Sequence, residues 1–242
     1  MNRAILLLMF GLVIVPRCLT IDSVTAHSSE TITKSVRFAQ CFQDAELSEI
    51  LATLKLQAGP ERVEVYKSIL TKAKRTPQCR TQLVQALISS MAQATNPAAN
   101  QYQNYFLWEN GASLLVDLNA TEALDLLVAN INLTDGWSTS ISQSHSPALV
   151  AILRIGEPAI PKLQIALRNE RVPHRRGFMA LAIASIGGGQ ARRALTSALP
   201  DETDPCVKNF LQVSLEAFDN KTKPNHISSA LNGKWLSAFY CR

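Results

Sequence analysis

The strongest constraint on the fold of this 242-residue chain is a sequence pattern that recurs between positions 148 and 199. One apolar segment runs up to Gly156 and a second follows it, and the same order returns around Gly187. The matching pairs after these glycines, each 32 positions apart, are Ala159 and Ala191, Leu163 and Leu195, and Leu167 and Leu199. Apolar residues spaced for a helix on both sides of a glycine predict two helices joined by a tight turn. Repetition at a fixed period predicts an array of such helix pairs.

A third, partial copy precedes these two. It is formed by Ala123, Leu124 and Leu127, which match Ala159, Ile160 and Leu163. With the Ile-Gly turn, the Ala and Leu at fixed offsets after it and the Pro near the second helix, residues 102–218 resemble the HEAT-like repeat family, in the short form seen in phycobilin-lyase-type repeats. The resemblance implies an α-solenoid whose second helices line a concave surface. We therefore assign residues 101–219 to HEAT-like repeats.

Residues 41–100 are predicted to form three amphipathic helices, which could be divergent repeats. Residues 47, 50, 51 and 54 of the first are apolar and share one helical face. The second is expected to begin at Pro60 and the third near Thr76. The predicted buried side of the second helix consists of Val63, Tyr66, Ile69 and Leu70. Because no strand-like alternation interrupts these patterns, the predicted fold class is all-α, an α-solenoid with an N-terminal helical segment.

The N-terminus carries the pattern of an export signal. Arg3 gives a positive start, residues 4–16 are apolar, and small or apolar residues at 24–26 suit cleavage before His27. An apolar run of this length is shorter than the roughly 18 residues that span a bilayer. We predict a signal peptide at 1–26, a mobile Ser/Thr-rich N-terminus at 27–40, and a secreted or periplasmic protein without a membrane segment after cleavage. A lipoprotein signal at Cys18 is disfavoured by the preceding Arg17.

Cysteine usage fits an oxidising compartment. Removal of the leader would leave four of the five cysteines, enough for two disulfides with three possible pairings. Positions along the helices favour Cys41–Cys79 and Cys206–Cys241. A zinc site built from the four is disfavoured because no two cysteines have a C-x2-C spacing. The last segment, 220–242, is predicted to fold back as a cap over the final repeat.

Positive charge concentrates between residues 161 and 200. Seven basic residues stand there against one acid, Glu170. They are Lys162, Arg168, Arg171, Arg175, Arg176, Arg192 and Arg193. A basic stripe on the second helices would attract an anionic partner, whereas the alternative is a set of solvated charges at helix ends. The predicted binding residues are Lys162, Arg175, Arg176, Arg192 and Arg193, with Trp137 in the insertion at 132–146.

Residues suited to catalysis are not grouped in the sequence. The four histidines have no metal-ligand spacing, and the glycines at 187–189 lack the Lys-Ser/Thr of a phosphate loop. The aromatic residues at 102–108 fit core packing better than a ligand platform. No cofactor or metal site is therefore predicted.

Three classes of function remain open at this point. The first is an exported protein-interaction scaffold with a protein partner, possibly one with an acidic surface; nucleic acid is not expected outside the cell. The second is a lyase-type enzyme or enzyme subunit on the same repeat fold, as the resemblance suggests. The third is a structural envelope component.

Overall fold

The structure is a computed structural model that describes residues 41–56, 59–95, 101–134 and 146–219. Within these residues it contains ten α-helices and no β-strand. The helices are α1 (Asp44–Leu54), α2 (Pro60–Ala73), α3 (Pro77–Gln93), α4 (Gln101–Asp117), α5 (Leu124–Ala129), α6 (Pro147–Ile155), α7 (Ile160–Asn169), α8 (Pro173–Ile186), α9 (Gly188–Ala198) and α10 (Pro205–Asp219). Short 3-10 turns precede α5 and α7. The predicted all-helical fold class is confirmed.

Helix starts follow local sequence signals. Five helices (α2, α3, α6, α8 and α10) begin with proline, whose missing N–H is not needed in the first turn. Polar side chains accept hydrogen bonds from the free backbone N–H groups at three of these starts. Thr76 Oγ1 accepts from Cys79 N, Ser146 Oγ from Leu149 N, and Asp204 Oδ1 from the first residues of α10. The predicted starts of the second and third helices, at Pro60 and near Thr76, are confirmed.

The helices pack in two interleaved sets. In one set α4 contacts α6, α6 contacts α8, and α8 contacts α10; in the other α5 contacts α7 and α7 contacts α9. The two sets meet along pairs such as α7 and α8, and α8 and α9. Their shared interior is rich in Ala and Leu, with Leu163 and Leu195 at 0% exposure. Small side chains at such contacts allow close approach of helices.

Two helix pairs are joined by glycines of the same backbone conformation. Gly156, between α6 and the turn before α7, has φ 75°, and Gly187, between α8 and α9, has φ 79°. Positive φ with ψ of −138° and −170° is strained for a residue that has a side chain, which accounts for glycine at both positions. Gly188 also has positive φ.

Covalent and polar links secure the region α1–α3. The predicted Cys41–Cys79 disulfide is present and ties the residues before α1 to α3. The amide of Gln82 donates to Phe42 O and its carbonyl accepts from Phe42 N. Asn110 of α4 donates to Leu54 O at the end of α1. Each of these hydrogen bonds satisfies a backbone group that would otherwise lose water without a partner.

Some sequence predictions differ from the structure or lie beyond it. Val63 is 46% exposed, so its assignment to the buried side of α2 is wrong. Ile69 is buried as predicted, together with Ala73, and Tyr66 and Leu70 are half-buried against the core. The segments 1–26, 27–40 and 220–242 lie outside the described residues. Cys206 is disulfide-bonded, but its predicted partner, Cys241, also lies outside them, so that pairing stays a prediction. Within the described residues, every helix is too short or too polar to cross a membrane.

Candidate functional site

The exposed sides of α7 and α9 carry four of the seven basic residues that lie between positions 161 and 200. Helix α7 buries Ile160, Leu163 and Leu167, which leaves Lys162 and Arg168 exposed. Helix α9 buries Ala191, Ala194, Leu195 and Ala198, which leaves Arg192 and Arg193 exposed. Neither helix contains an acidic residue.

Direct hydrogen bonds hold these two helices side by side. Ser197 Oγ of α9 accepts from Gln164 Nε2 at 3.1 Å and from Arg168 Nη2 at 3.2 Å. Ser197 Oγ also donates to Ala194 O, so its position is fixed by its own helix. The exposed cations of α7 and α9 therefore belong to one surface, which we call the α7–α9 face: Lys162, Arg168, Arg192 and Arg193.

Lys162 lies at the edge of this face and pairs with a carboxylate. Its Nζ is 2.7 Å from Asp125 Oδ1 of α5, and both side chains are substantially exposed. An exposed pair of this kind contributes only about 0–1 kcal/mol because water screens both charges. The ammonium group of Lys162 can therefore leave Asp125 and bind another anion at little cost in free energy.

Arg175 is held more firmly. Its Nη2 donates to Ala129 O at the end of α5 at 2.7 Å. Its Nε lies 2.9 Å from Glu170 Oε2, an ion pair whose N–H is not aligned with the carboxylate oxygen. Arg175 thus ties the start of α8 to α5 and to the α7–α8 connection.

Arg176 has an internal role. Its Nε and Nη2 each donate to one oxygen of Glu202 at 2.8 Å, and its Nη1 donates to the backbone oxygens of Glu170 and Arg171. The two side chains of the ion pair are 13% and 7% exposed. The hydrogen bond with Glu202 raises the pKa of Arg176, against the effect of burial. Such a bidentate pair fixes the α7–α8 connection against the segment before α10.

The remaining cations have fewer constraints. Arg171 and Arg193 are exposed and make no ion pair within the part of the chain that the structure describes. Arg168 also makes no ion pair among the described residues, and it shares a hollow at the end of α9 with Asp201 and the Arg176–Glu202 pair. Exposed cations of this kind favour association with anions.

An open groove runs between α5 and α7 beside these cations. Its volume is about 470 Å³. Apolar groups of Val128, Ala129, Ile165 and Ala166 line it, and Arg171 is among the charged residues at its edge. Ile165 is 59% exposed, which is unusual for a large aliphatic side chain within a helix. Ile165 lies outside the buried stripe of Ile160, Leu163 and Leu167, which is the one sequence signal that could have indicated its exposure.

The insertion that contains Trp137 makes a polar contact with the rest of the chain at each of its two ends. Trp137 itself lies outside the described residues. At the two ends of the insertion, Ser146 Oγ donates to Ile131 O at 2.7 Å, and Asn132 Nδ2 lies 3.3 Å from His174 Nε2. Burial, and then the neighbouring charge of Arg175, lowers the pKa of His174, which favours the neutral ring.

The described residues thus define an all-helical protein with a cationic face on two adjacent helices and an apolar groove next to it. They contain no group of three or more His, Cys, Asp and Glu residues placed to hold a metal ion. Comparisons with family models, with curated proteins and with solved structures found no match to the chain.

Proposed function

We propose that this protein is an exported interaction scaffold of HEAT-like helix pairs that binds an acidic protein partner through the α7–α9 face. The observation that carries the proposal is the absence of acids from α7 and α9, together with four cations on their exposed sides. Surface charge of one sign accelerates and orients the approach of a partner of the opposite sign.

Helix packing supports the assignment to helix repeats. Helices α6 and α8 are neighbours, and so are α7 and α9. A glycine with positive φ follows α6 before α7, and another follows α8 before α9. A repeat array behaves in this way, because each unit buries its apolar faces against the units on either side. The outer sides of its helices are then free to vary and to bind.

The disulfide between Cys41 and Cys79 supports export. Disulfides persist in extracellular and periplasmic compartments and are rare in the reducing cytosol. The basic and apolar leader pattern at residues 1–26 points in the same direction.

A charge-reversal experiment tests the binding face. The full chain with an affinity tag would be produced in its native host and recovered from the extracellular or periplasmic fraction with its bound proteins. The test variant replaces Arg168, Arg192 and Arg193 of the α7–α9 face with glutamate. Arg176 is left unchanged because its ion pair with Glu202 is internal. The matched control replaces three exposed cations on other helices or turns, Lys74, Arg75 and Lys208, with glutamate.

We expect the wild type and the control to recover the same acidic partner and the test variant to lose it. Capture should also weaken as salt increases, because charges on exposed surfaces are screened. Equal recovery by the test variant and the control, or a partner without an acidic surface, would refute the binding face. Circular dichroism of both variants verifies that the fold is retained.

A further inference from the structure

The groove between α5 and α7 combines an apolar floor with unbalanced positive charge. Its floor includes Val128 and Ala166, and Ile165 projects beside them with more than half of its surface in water. Exposed aliphatic side chains of this size are scarce here: the others among the described residues are Leu56, Val63 and Val172. Covering Ile165 would remove apolar surface from water, which favours an apolar contact.

The charged residues at the groove determine which sign of charge a bound ligand should carry. Two carboxylates line it, and each has a cation of its own: Asp125 pairs with Lys162 and Glu170 with Arg175. Arg171 also lines the groove and has no ion pair within the described residues. The balance is therefore positive, and an acidic group at the groove edge would meet a guanidinium without displacing an existing pair.

The open shape of the groove fits a peptide segment better than a small molecule. Small-molecule sites usually enclose most of the ligand surface, whereas this groove, which is lined by α5, α7, α8 and the connection after α7, is open to solvent along its length. A peptide segment can instead lie along such a groove and place one side chain on its floor. We infer that the groove between α5 and α7 binds a short acidic peptide segment, with an aliphatic or aromatic side chain against Ile165 and a carboxylate on Arg171. The inference rests on the proposed function, because it names the part of the partner that binds.

Selection from a library of random linear peptides displayed on phage tests this inference. The bait is the full wild-type chain, and enriched peptides are synthesised with a fluorescent label and titrated by anisotropy. The test variant is Ile165→Asn, which keeps the side-chain size and removes its apolar character. The matched control is Val63→Asn, at an exposed aliphatic residue of α2 that lies outside the groove.

We expect enriched peptides to combine one aliphatic or aromatic residue with flanking Asp or Glu. Ile165→Asn should weaken their binding about tenfold or more, as loss of roughly 1.4 kcal/mol would do. Arg171→Gln should weaken acidic peptides more than versions of them with the acids replaced by amides. Val63→Asn should bind as the wild type does.

Several results would overturn the groove as a peptide site. They are a failure to enrich any peptide, enriched peptides without acidic residues, and binding that Ile165→Asn leaves unchanged. Binding of phosphatidylglycerol vesicles that Ile165→Asn abolishes, without peptide enrichment, would replace the peptide with a lipid surface. If Ile165→Asn has no effect while reversal of the α7–α9 cations abolishes partner capture, only the groove is refuted. If both variants capture the partner normally, the proposed function fails as well.

Discussion

Helices α2 and α8 have the same length and the same proline start, and yet they differ sharply in burial. Each has 14 residues. Helix α8 buries eight consecutive residues, Gly177–Ala184, whereas α2 buries only Ile69 and Ala73 among the residues whose side chains are described. Helix α8 contacts α6, α7, α9 and α10, while α2 contacts α1, α3 and α4. Helix α8 is surrounded by neighbours, and α2 keeps one side in water.

The two regions are consequently stabilised in different ways. Residues 177–184 of α8 are all buried and carry no polar side chain, so packing supplies the stability there, while the ion pairs of Arg175 and Arg176 lie at the start of the helix. Around α1–α3 a disulfide and side-chain clamps to backbone groups join elements that share less apolar surface. A small apolar contact area can be compensated by constraints that lower the entropy of the unfolded chain. Four predictions test this contrast.

The largest effect is expected from a cavity in α8. Leu181 is at 0% exposure, so Leu181→Ala should lower the free energy of unfolding by about 2–5 kcal/mol. The matched change in α2 is Leu70→Ala, at a half-buried position, which should cost no more than about 2 kcal/mol. Urea unfolding followed by circular dichroism measures both. Equal costs would remove the contrast between the two helices.

Loss of the disulfide should come next. A chain with both Cys41→Ser and Cys79→Ser should lose about 2–4 kcal/mol, because the bond closes a loop with a sequence separation of 38 residues. Substitution is preferable to a reducing agent because Cys206 is also disulfide-bonded. Hydrogen exchange should show a larger loss of protection in α1 and α3 than in α8. A uniform loss across all helices would mean that the bond stabilises the whole unit equally.

Alanine substitution in the two glycine turns should lower the free energy of unfolding by a smaller amount, and by a similar amount in each turn. Gly156→Ala and Gly187→Ala should each cost about 1–2 kcal/mol, because alanine disfavours positive φ. The control is Gly59→Ala before α2, where φ is −159° and a Cβ would meet no atom within 4 Å. That change should stay within about 0.5 kcal/mol. Thermal unfolding of the three variants measures these costs. Clearly different costs at Gly156 and Gly187 would mean that the two turns are not structurally equivalent.

The smallest effect concerns pH. Because burial and Arg175 lower the pKa of His174, the folded protein binds fewer protons there than the unfolded chain does. The resulting stability is fully present above the ordinary histidine pKa of about 6.5 and is lost as pH falls from there through the lowered value. His174→Gln should therefore unfold with a weaker dependence on pH between about 7.5 and 5. Identical melting-temperature profiles for the variant and the wild type would exclude this role for His174.

Much of the fold was predictable because it depends on local patterns. Apolar spacing indicated the helices, proline and Thr76 marked their starts, and Gly187 marked a turn with positive φ. The error at Val63 has a physical reason. It shares the apolar stripe of α2, but α2 has too few neighbours to cover the whole stripe.

The candidate site was predictable only as a list of charges. Sequence alone gave equal weight to Lys162, Arg175 and Arg176. The structure shows that Lys162 forms an ion pair with an exposed carboxylate. Arg175 donates a hydrogen bond to a backbone carbonyl, and Arg176 forms an ion pair with a nearly buried glutamate. These differences depend on partners 26 to 46 positions away along the chain.

Local sequence patterns were enough to predict that the described residues are helical, that the second and third helices begin at Pro60 and near Thr76, and that a glycine turn follows α6 and α8. Propensity, capping and turn conformation are properties of neighbouring residues. The Cys41–Cys79 link was likewise indicated by position along those helices. The folded structure was needed to show which cations are held internally, that α7 and α9 carry theirs on one surface, and that Ile165 is exposed beside a groove. Those outcomes depend on contacts between distant segments, and no local pattern specifies which distant residue will supply the partner.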